Sequence, residues 1–196
     1  MFNSKETCLL SDLAIKYHSD KAPQQYHNYT PFYHELFKNR RDSVKKVFEI
    51  GIGYQEIMPI ANYISGAGFY MWRDYFPNAQ IYGIDIKPEL MINEDRIQTF
   101  VCNQSHSWLL INLAEKLGGN FDLIVDDGSH VTEHQSISAI TLVPYLSDNG
   151  IYIIEDVNEP EKVANNLKMM GIKSSIYRFD VNLKSDDILL VIGKNL

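Results

Sequence analysis

The segment "FDLIVDDGSH", residues 121–130, runs from apolar residues into two carboxylates, a glycine, a hydroxyl and an imidazole. A second apolar run, "GIYIIED" (150–156), ends in Glu155 and Asp156. If the two runs are neighbouring strands, Asp127, Glu155 and Asp156 meet at one sheet edge. Three carboxylates held together repel one another unless a cation compensates them. Donors made only of oxygen suit a hard divalent ion, Mg²⁺ most readily, with Mn²⁺ or Ca²⁺ as alternatives. His130, three residues past Asp127, lies close enough to act beside such an ion without binding it, and His134 follows at i+4 on the same helix face. Each acid taken alone also serves as a helix cap or solvated strand end, and Asp-Gly followed by Ser also makes a turn with a cap. Three acids at two adjacent strand ends exceed what caps require. Asp126, on the opposite side of the strand from Asp127, has no assigned chemistry.

Other strand ends carry a second set of polar groups. "KVFEIG" (46–51) leads into Glu49, Gly51 and Gly53. The glycines let backbone approach a ligand closely, and the carboxylate suits an amine or hydroxyl better than a phosphate. A dinucleotide pattern would need a third glycine where Glu56 stands, which disfavours a pyrophosphate cradle. "QIYGIDI" (80–86) places Asp85 where an acid takes the two hydroxyls of a ribose. "CNQSH" follows the next strand, and its Asn103, Gln104 and Ser105 offer amide and hydroxyl groups for an adenine edge. Singly these residues are common cap and turn formers. After three successive strands they describe a nucleoside site without a polyphosphate.

The elements that must position these residues are legible from apolar runs. Strands are predicted at 46–51, 80–86, 97–102, 121–127 and 150–156, nearly continuous in hydrophobicity as strands covered on both faces should be. Helical patterns lie between them at 104–117, 131–146 and 159–170. Strand alternating with helix implies a doubly wound, mostly parallel, Rossmann-like α/β sheet. At the end, "SSIYRFDV" and "DDILLVIGK" are joined by the short "NLKS", too short for a crossover helix, so they should pair as an antiparallel hairpin at the sheet edge, giving seven strands. Two helices precede the first strand, with the polar, aromatic "SDKAPQQYHNYT" between them. Residues 1–44 thus form a helical segment with a plausible lid.

The chain has 196 residues, 45% hydrophobic, which fits a single domain over residues 1–196. Its net charge of -7 argues against nucleic-acid or anionic-membrane partners, which need a basic footprint. The run "KNRRDSVKK" (38–46) is a local exception and reads as a solvated connection. Cys8 and Cys102 lack zinc or disulfide spacing, and no signal peptide or apolar span is evident, so a cytoplasmic protein is expected.

"LAIKYHSDKAPQQYHNYTPFY", "VFEIGIG", "GAGFYMWRDYFPNAQIYGIDI", "CNQSHS", "FDLIVDDGSHVTEHQ" and "IIEDV" together resemble class I S-adenosylmethionine-dependent methyltransferases, in the metal-dependent branch of macrolide-sugar O-methyltransferases. "DDGSH" followed by "ED" 25 residues after its histidine is the most specific match. The resemblance implies that Glu49, Gly51 and Gly53 lie under the methionine part of S-adenosylmethionine and that Asp85 binds its ribose. It places Asn103, Gln104 and Ser105 near the adenine; Asn103 departs from the usual aspartate there. By the same resemblance Asp127, Glu155 and Asp156 hold Mg²⁺ or Mn²⁺, His130 is the general base, and Lys21 and Tyr29 close over cofactor or substrate. "GAGFYMW" departs from the branch's usual pattern before Trp72.

The expected reaction is methylation of a hydroxyl on a sugar, a glycosylated natural product or a phosphate-bearing carbohydrate precursor. A divalent ion lowers the pKa of the hydroxyl and His130 takes its proton. A small-molecule acceptor is the expected partner, with a homo-oligomer open. One rival is a cephalosporin-hydroxylase-like iron oxygenase using His130, His134 and Asp127, which would leave Glu155 and Asp156 idle. Another is a nucleoside-binding protein without catalysis. A zinc site from His18, His27 and His34 matches no common ligand spacing.

Overall fold

The computed structural model describes residues 8–58, 60–179 and 187–193. Successive side chains of a strand point to opposite faces, and here both faces are apolar. Along the central strands β1 (Lys46–Ile50), β2 (Gln80–Asp85), β5 (Phe121–Asp126) and β6 (Leu146–Ile154), Val47, Ile81, Leu123, Val125 and Ile153 face one helical layer. That layer is α1 (Leu9–Tyr17), α2 (Tyr29–Phe37) and α3 (Ala67–Tyr75), which bury Leu10, Phe32, Tyr33 and Trp72 against the sheet. The intervening residues Phe48, Ile50, Ile84, Ile124, Tyr152 and Ile154 face the second layer. It comprises α4 (Ser107–Lys116), α5 (Thr132–Leu142) and α6 (Pro160–Met169).

With β3 (Asn93–Glu94), β4 (Ile97–Val101), β7 (Ser175–Arg178) and β8 (Ile188–Gly193), the sheet order is β3-β4-β2-β1-β5-β6-β8-β7. Strands β4, β2, β1, β5 and β6 are parallel, while β8 runs antiparallel to β6 and β7 antiparallel to β8. The mostly parallel doubly wound sheet and the edge hairpin agree with the sequence; the connecting "NLKS" lies outside the described residues. The chain winds outward from β1 through β2 to β4 and then resumes at β5 on the other side of β1. This reversal opens a crevice at the carboxyl ends of β1 and β5, where open α/β sheets bind ligands.

Two differences from the expectation are physical. The described residues form eight strands rather than seven, because the two-residue β3 folds back on β4, pairing Asn93 with Gln98 and Glu94 with Ile97. The turn puts Arg96 at φ 58°, and its guanidinium holds the carbonyls of Arg73, Phe76 and Ala79. Two exposed residues carry no periodicity to read. Helix α3 is likewise silent, because "AGFYMWRDY" is buried on most sides and opens beside glycines.

At the N-terminus, His18 closes α1 in the left-handed region, its amide reaching back to Ala14 and Ile15. The chain therefore turns sharply, and Ser19, Asp20, Lys21, His27 and Asn28 are buried against the strand ends.

Candidate active site

The carboxyl end of β1 supplies Glu49, a buried carboxylate whose Oε2 accepts from Trp72 Nε1 at 3.0 Å. Two residues on, Gly51 sits at φ +95°, and a Cβ there would lie 2.1 Å from the Asp127 carbonyl oxygen. Only glycine lets the ends of β1 and β5 approach this closely. At the end of β2, Asp85 accepts the Ile52 amide on Oδ2 and the Lys87 amide on Oδ1, both at 3.0 Å. These groups line a cavity of about 520 Å³, together with Gly53, Asn103, Gln104, Asp127, His130 and Asp156. That size falls in the ~300–1,000 Å³ range of small-molecule and cofactor sites.

The acidic cluster is built from β5 and β6. Lys21, 2% exposed, carries its ammonium into the middle of it, 2.5 Å from Asp127 Oδ2, hydrogen-bonded to Glu155 Oε2 and 3.5 Å from Glu49 Oε1. Tyr33 donates to Glu155 Oε1 at 2.6 Å, and Tyr29 donates to Asp156 Oδ1. His27, stacked on Tyr29, lies between two acids, with Nε2 3.5 Å from Asp156 Oδ2 and Nδ1 3.2 Å from Asp187 Oδ1. His130 Nε2 is 3.3 Å from Asp127 Oδ1, and its Nδ1 is 4.0 Å from Asp156 Oδ2.

Crowding so many buried acids shifts their protonation. Burial pushes Glu155 up to about 8 despite the neighbouring Lys21. Burial and then the charge of Asp127 lift Asp156 to about 6, and burial takes Glu49 to about 7. At Asp127 burial acts in the same direction, but Lys21 and His130 override it and hold the carboxyl far below the usual range. Burial opposes the charge on His130, yet its hydrogen bond to Asp127 and the charges of Asp127 and Asp156 raise it to about 9. His27 likewise reaches about 9 against burial, through Asp187 and Asp156. At neutral pH Asp127 is thus ionised, and His130 holds its proton in this arrangement.

Among the described residues, ligand atoms of Asp127, His130 and Asp156 lie within 4.8 Å of one another, a metal-sized cluster. Glu155 stands behind it, turned to Lys21 and Tyr33. Because the Lys21 ammonium touches both Asp127 and Glu155, one cation position already bridges those two carboxylates; the oxygen donors fit a hard divalent ion. His134 is outside the cluster, its Nδ1 2.9 Å from Ser129 Oγ, so the two histidines of the oxygenase reading do not converge.

The nucleoside candidates divide. Glu49, Gly51, Gly53, Asp85 and Asn103 border the cavity. Gln104 borders it too, but both ends of its amide are engaged, Nε2 with Asp126 at 3.0 Å and Oε1 with the Ser129 amide at 2.7 Å. Ser105 is not among the lining residues; its amide and hydroxyl both donate to Asn103 Oδ1, at 3.0 and 2.8 Å. Lys21 and Tyr29 engage the acids directly. Sequence reasoning gave Tyr33 and Trp72 no role and weighed His27 only for a zinc site with His18 and His34. For His27 and Tyr33 the signal was position, since "HNYTPFY" sets His27, Tyr29 and Tyr33 two and four residues apart at the start of α2.

No family model matches the chain. A tetracenomycin-C 3'-O-methyltransferase from Streptomyces olivaceus, acting on a 2-methoxy-rhamnosyl derivative by its name, is 40% identical over 149 residues. The mycinamicin VI 2''-O-methyltransferase of Micromonospora griseorubida is 34% identical over 148 residues. The solved methyltransferase MycE of the mycinamycin biosynthetic pathway, in complex with Mg, SAH and mycinamycin VI, superposes with a TM-score of 0.74 at 26% identity, covering 97% of this chain and 55% of MycE. The chain is thus similar in sequence to sugar O-methyltransferases and in fold to MycE. The alignments cover 76% of this chain but only 36% of either curated relative, so the chain spans roughly a third of the length of the curated relatives it matches. The SAH-bound Podospora anserina methyltransferase PaMTH1 shares the fold alone, with a TM-score of 0.54 at 14% identity, covering 96% of this chain and 88% of its own. No helix among the described residues is long and apolar enough to cross a membrane.

Proposed function

We propose that this protein is a methyltransferase that transfers the methyl group of S-adenosylmethionine to a hydroxyl of a sugar on a glycosylated small molecule, and that it needs a divalent cation, Mg²⁺ or Mn²⁺. The observation that carries this reading is the convergence of Asp127, Asp156 and His130 on the wall of the cavity that Glu49, Gly51, Gly53 and Asp85 border. In this reading Asp127 and Asp156 would hold the cation, and Glu155 would join them only by giving up its contact with Lys21. Bound there, the cation supplies positive charge that acidifies the acceptor hydroxyl and draws off the carboxylate charge that keeps His130 protonated. His130 Nε2, the ring nitrogen facing Asp127, then accepts the hydroxyl proton. Asp85 presents its carboxylate to the ribose, while Glu49, held by Trp72, faces the ammonium end of the cofactor. The four wrapping residues Lys21, His27, Tyr29 and Tyr33 fix the acids in register, so that the nucleophile and the methyl group meet in line.

The electrostatics favour a neutral glycoside over a phosphate-bearing precursor. Two lysines line the cavity among the described residues. Lys21 is shared by three carboxylates, and Lys87 lies 3.7 Å over the Tyr54 ring at the rim. A phosphate would meet only a divalent ion whose charge Asp127 and Asp156 already offset.

The test is methyl transfer from S-adenosylmethionine to matched neutral and phosphorylated glycosides, read by mass spectrometry. Transfer should require Mg²⁺ or Mn²⁺, stop with EDTA and prefer the neutral acceptors. His130→Ala should abolish turnover while SAH still binds by calorimetry. Undiminished transfer in EDTA, or use of phosphorylated acceptors alone, would sink the reading.

A further inference from the structure

On the face of β5 opposite the acidic cluster lies a carboxylate that the proposed chemistry does not use. Asp126 is fully buried. Three neutral donors converge on it: Gln104 Nε2 at 3.0 Å on Oδ1, and the hydroxyls of Tyr152, at 3.0 Å, and Ser138 on Oδ2. A buried carboxylate without a paired cation is costly to desolvate, so its presence calls for a reason beyond packing.

The Gln104 amide supplies it. A primary amide has a donor end and an acceptor end of nearly the same shape, and its orientation is set by its partners. Ionised, Asp126 can only accept, so it receives Nε2. The amide of Ser129 can only donate, and it points at Oε1 across 2.7 Å. The two ends of Gln104 are therefore assigned without ambiguity. With an amide at position 126, Gln104 would be free to flip and set its NH₂ against the Ser129 N–H. Gly128 completes the fit, because a Cβ there would lie 2.1 Å from Gln104 Oε1. The next residue after Ser129 is His130, held in the left-handed region at φ 56°.

We infer that Asp126 and Gln104 form a strut, coded by hydrogen-bond polarity, that fixes the backbone of residues 128–130 and so aims His130 into the cavity. Both are positioning residues rather than catalytic ones. The consequence for turnover rests on the reading of His130 as base, whereas the strut itself does not.

The test is amide hydrogen exchange at Ser129, followed by NMR on the full chain, with thermal midpoints as a control for global stability. Asp126→Asn should speed exchange about tenfold or more, the loss expected when a buried donor faces another donor. Gln104→Glu should do the same by setting two carboxylates face to face. The double variant Asp126→Asn/Gln104→Glu should return exchange to near the wild-type rate. There the new amide at 126 donates to the new carboxylate at 104, whose other oxygen accepts the Ser129 N–H. A general structural role predicts no such rescue. If Asp126→Asn does not accumulate folded, Gln104→Ala should expose the Ser129 amide and Tyr152→Phe should leave it protected. Unchanged exchange in Asp126→Asn or Gln104→Ala, or a double variant as fast as the single, overturns the inference. Failure of the methyl-transfer reading would show differently, as a wild-type protein without turnover whose Ser129 amide is protected.

Discussion

Lys21 is the cation on which the acidic cluster rests, and replacing it with methionine isolates that role. Methionine keeps the length and apolar stem of the side chain, so the substitution removes charge with little change of volume. What remains is Glu49, Asp127 and Glu155 facing one another, with the lysine side chain that separated them only 3% exposed. Removing one partner of a buried ion pair costs ~3–5 kcal/mol. In a domain of this size each kcal/mol lowers the melting temperature by ~2–4 °C, giving an expected fall of ~6–20 °C. The penalty depends on pH, because the acids can escape it by taking up protons. Glu155 at about 8 and Glu49 at about 7 already have raised values, and loss of Lys21 raises them further. A carboxyl whose folded value is raised stabilises the fold at low pH and loses that contribution as pH rises through the folded value. Destabilisation by Lys21→Met should therefore be small near ~pH 5.5 and full near ~pH 8.5. Divalent cation should reverse it, since an ion at 100 times its Kd returns ~2.7 kcal/mol. Differential scanning fluorimetry in EDTA and across a Mn²⁺ titration at both pH values measures all three effects. A fall under ~3 °C at the higher pH, within what an exposed substitution gives, would refute the reasoning. So would equal losses at both pH values, or a Mn²⁺ response no larger than that of the wild type.

Two further outcomes follow from neighbouring contacts. His27, raised to about 9 from 6.5 against burial by Asp187 and Asp156, stabilises the metal-free fold below about 6.5 and loses that contribution as pH rises through about 9. His27→Gln should flatten the decline of melting temperature across that window, and an unchanged slope would count against the contact. Gly128→Ala forces a methyl onto Gln104 Oε1, an overpacking worth ~1–3 kcal/mol, or ~2–12 °C in melting temperature. Adding Gln104→Ala should relieve most of the steric loss, so the two substitutions should depart from additivity in a double-mutant cycle.

The parts of this molecule that the sequence reveals are those where one residue type suffices for the inference. Runs such as "FDLIVD" and "YIIED" declare buried parallel strands because both faces must be apolar, and the acids at their ends declare a site because carboxylates at a strand terminus have few structural uses in such number. Strand β3 and helix α3 are illegible for the opposite reason: one is too short for a period, and the other is apolar on most sides. The site is legible as a set of residues but not as a set of pairings. Lys21, in a polar loop more than a hundred positions from Asp127, reads as a group reaching for a ligand. Only the burial of residues 19–22 and 27–28 against the strand ends makes it the partner of Asp127 and Glu155.

Gln104 shows the same limit. A glutamine after a strand suits an adenine edge equally well whether or not its amide is already committed. Its commitment depends on Asp126, a residue whose acid looks redundant beside Asp127 in "DDGSH". The two aspartates point to opposite faces of β5, as alternation requires. Asp127 therefore meets Lys21 and the cavity, while Asp126 meets Gln104 and the packed second layer. On the proposed reading the doubled acid is two functions on two faces, one holding charge for chemistry and the other holding the loop that delivers His130.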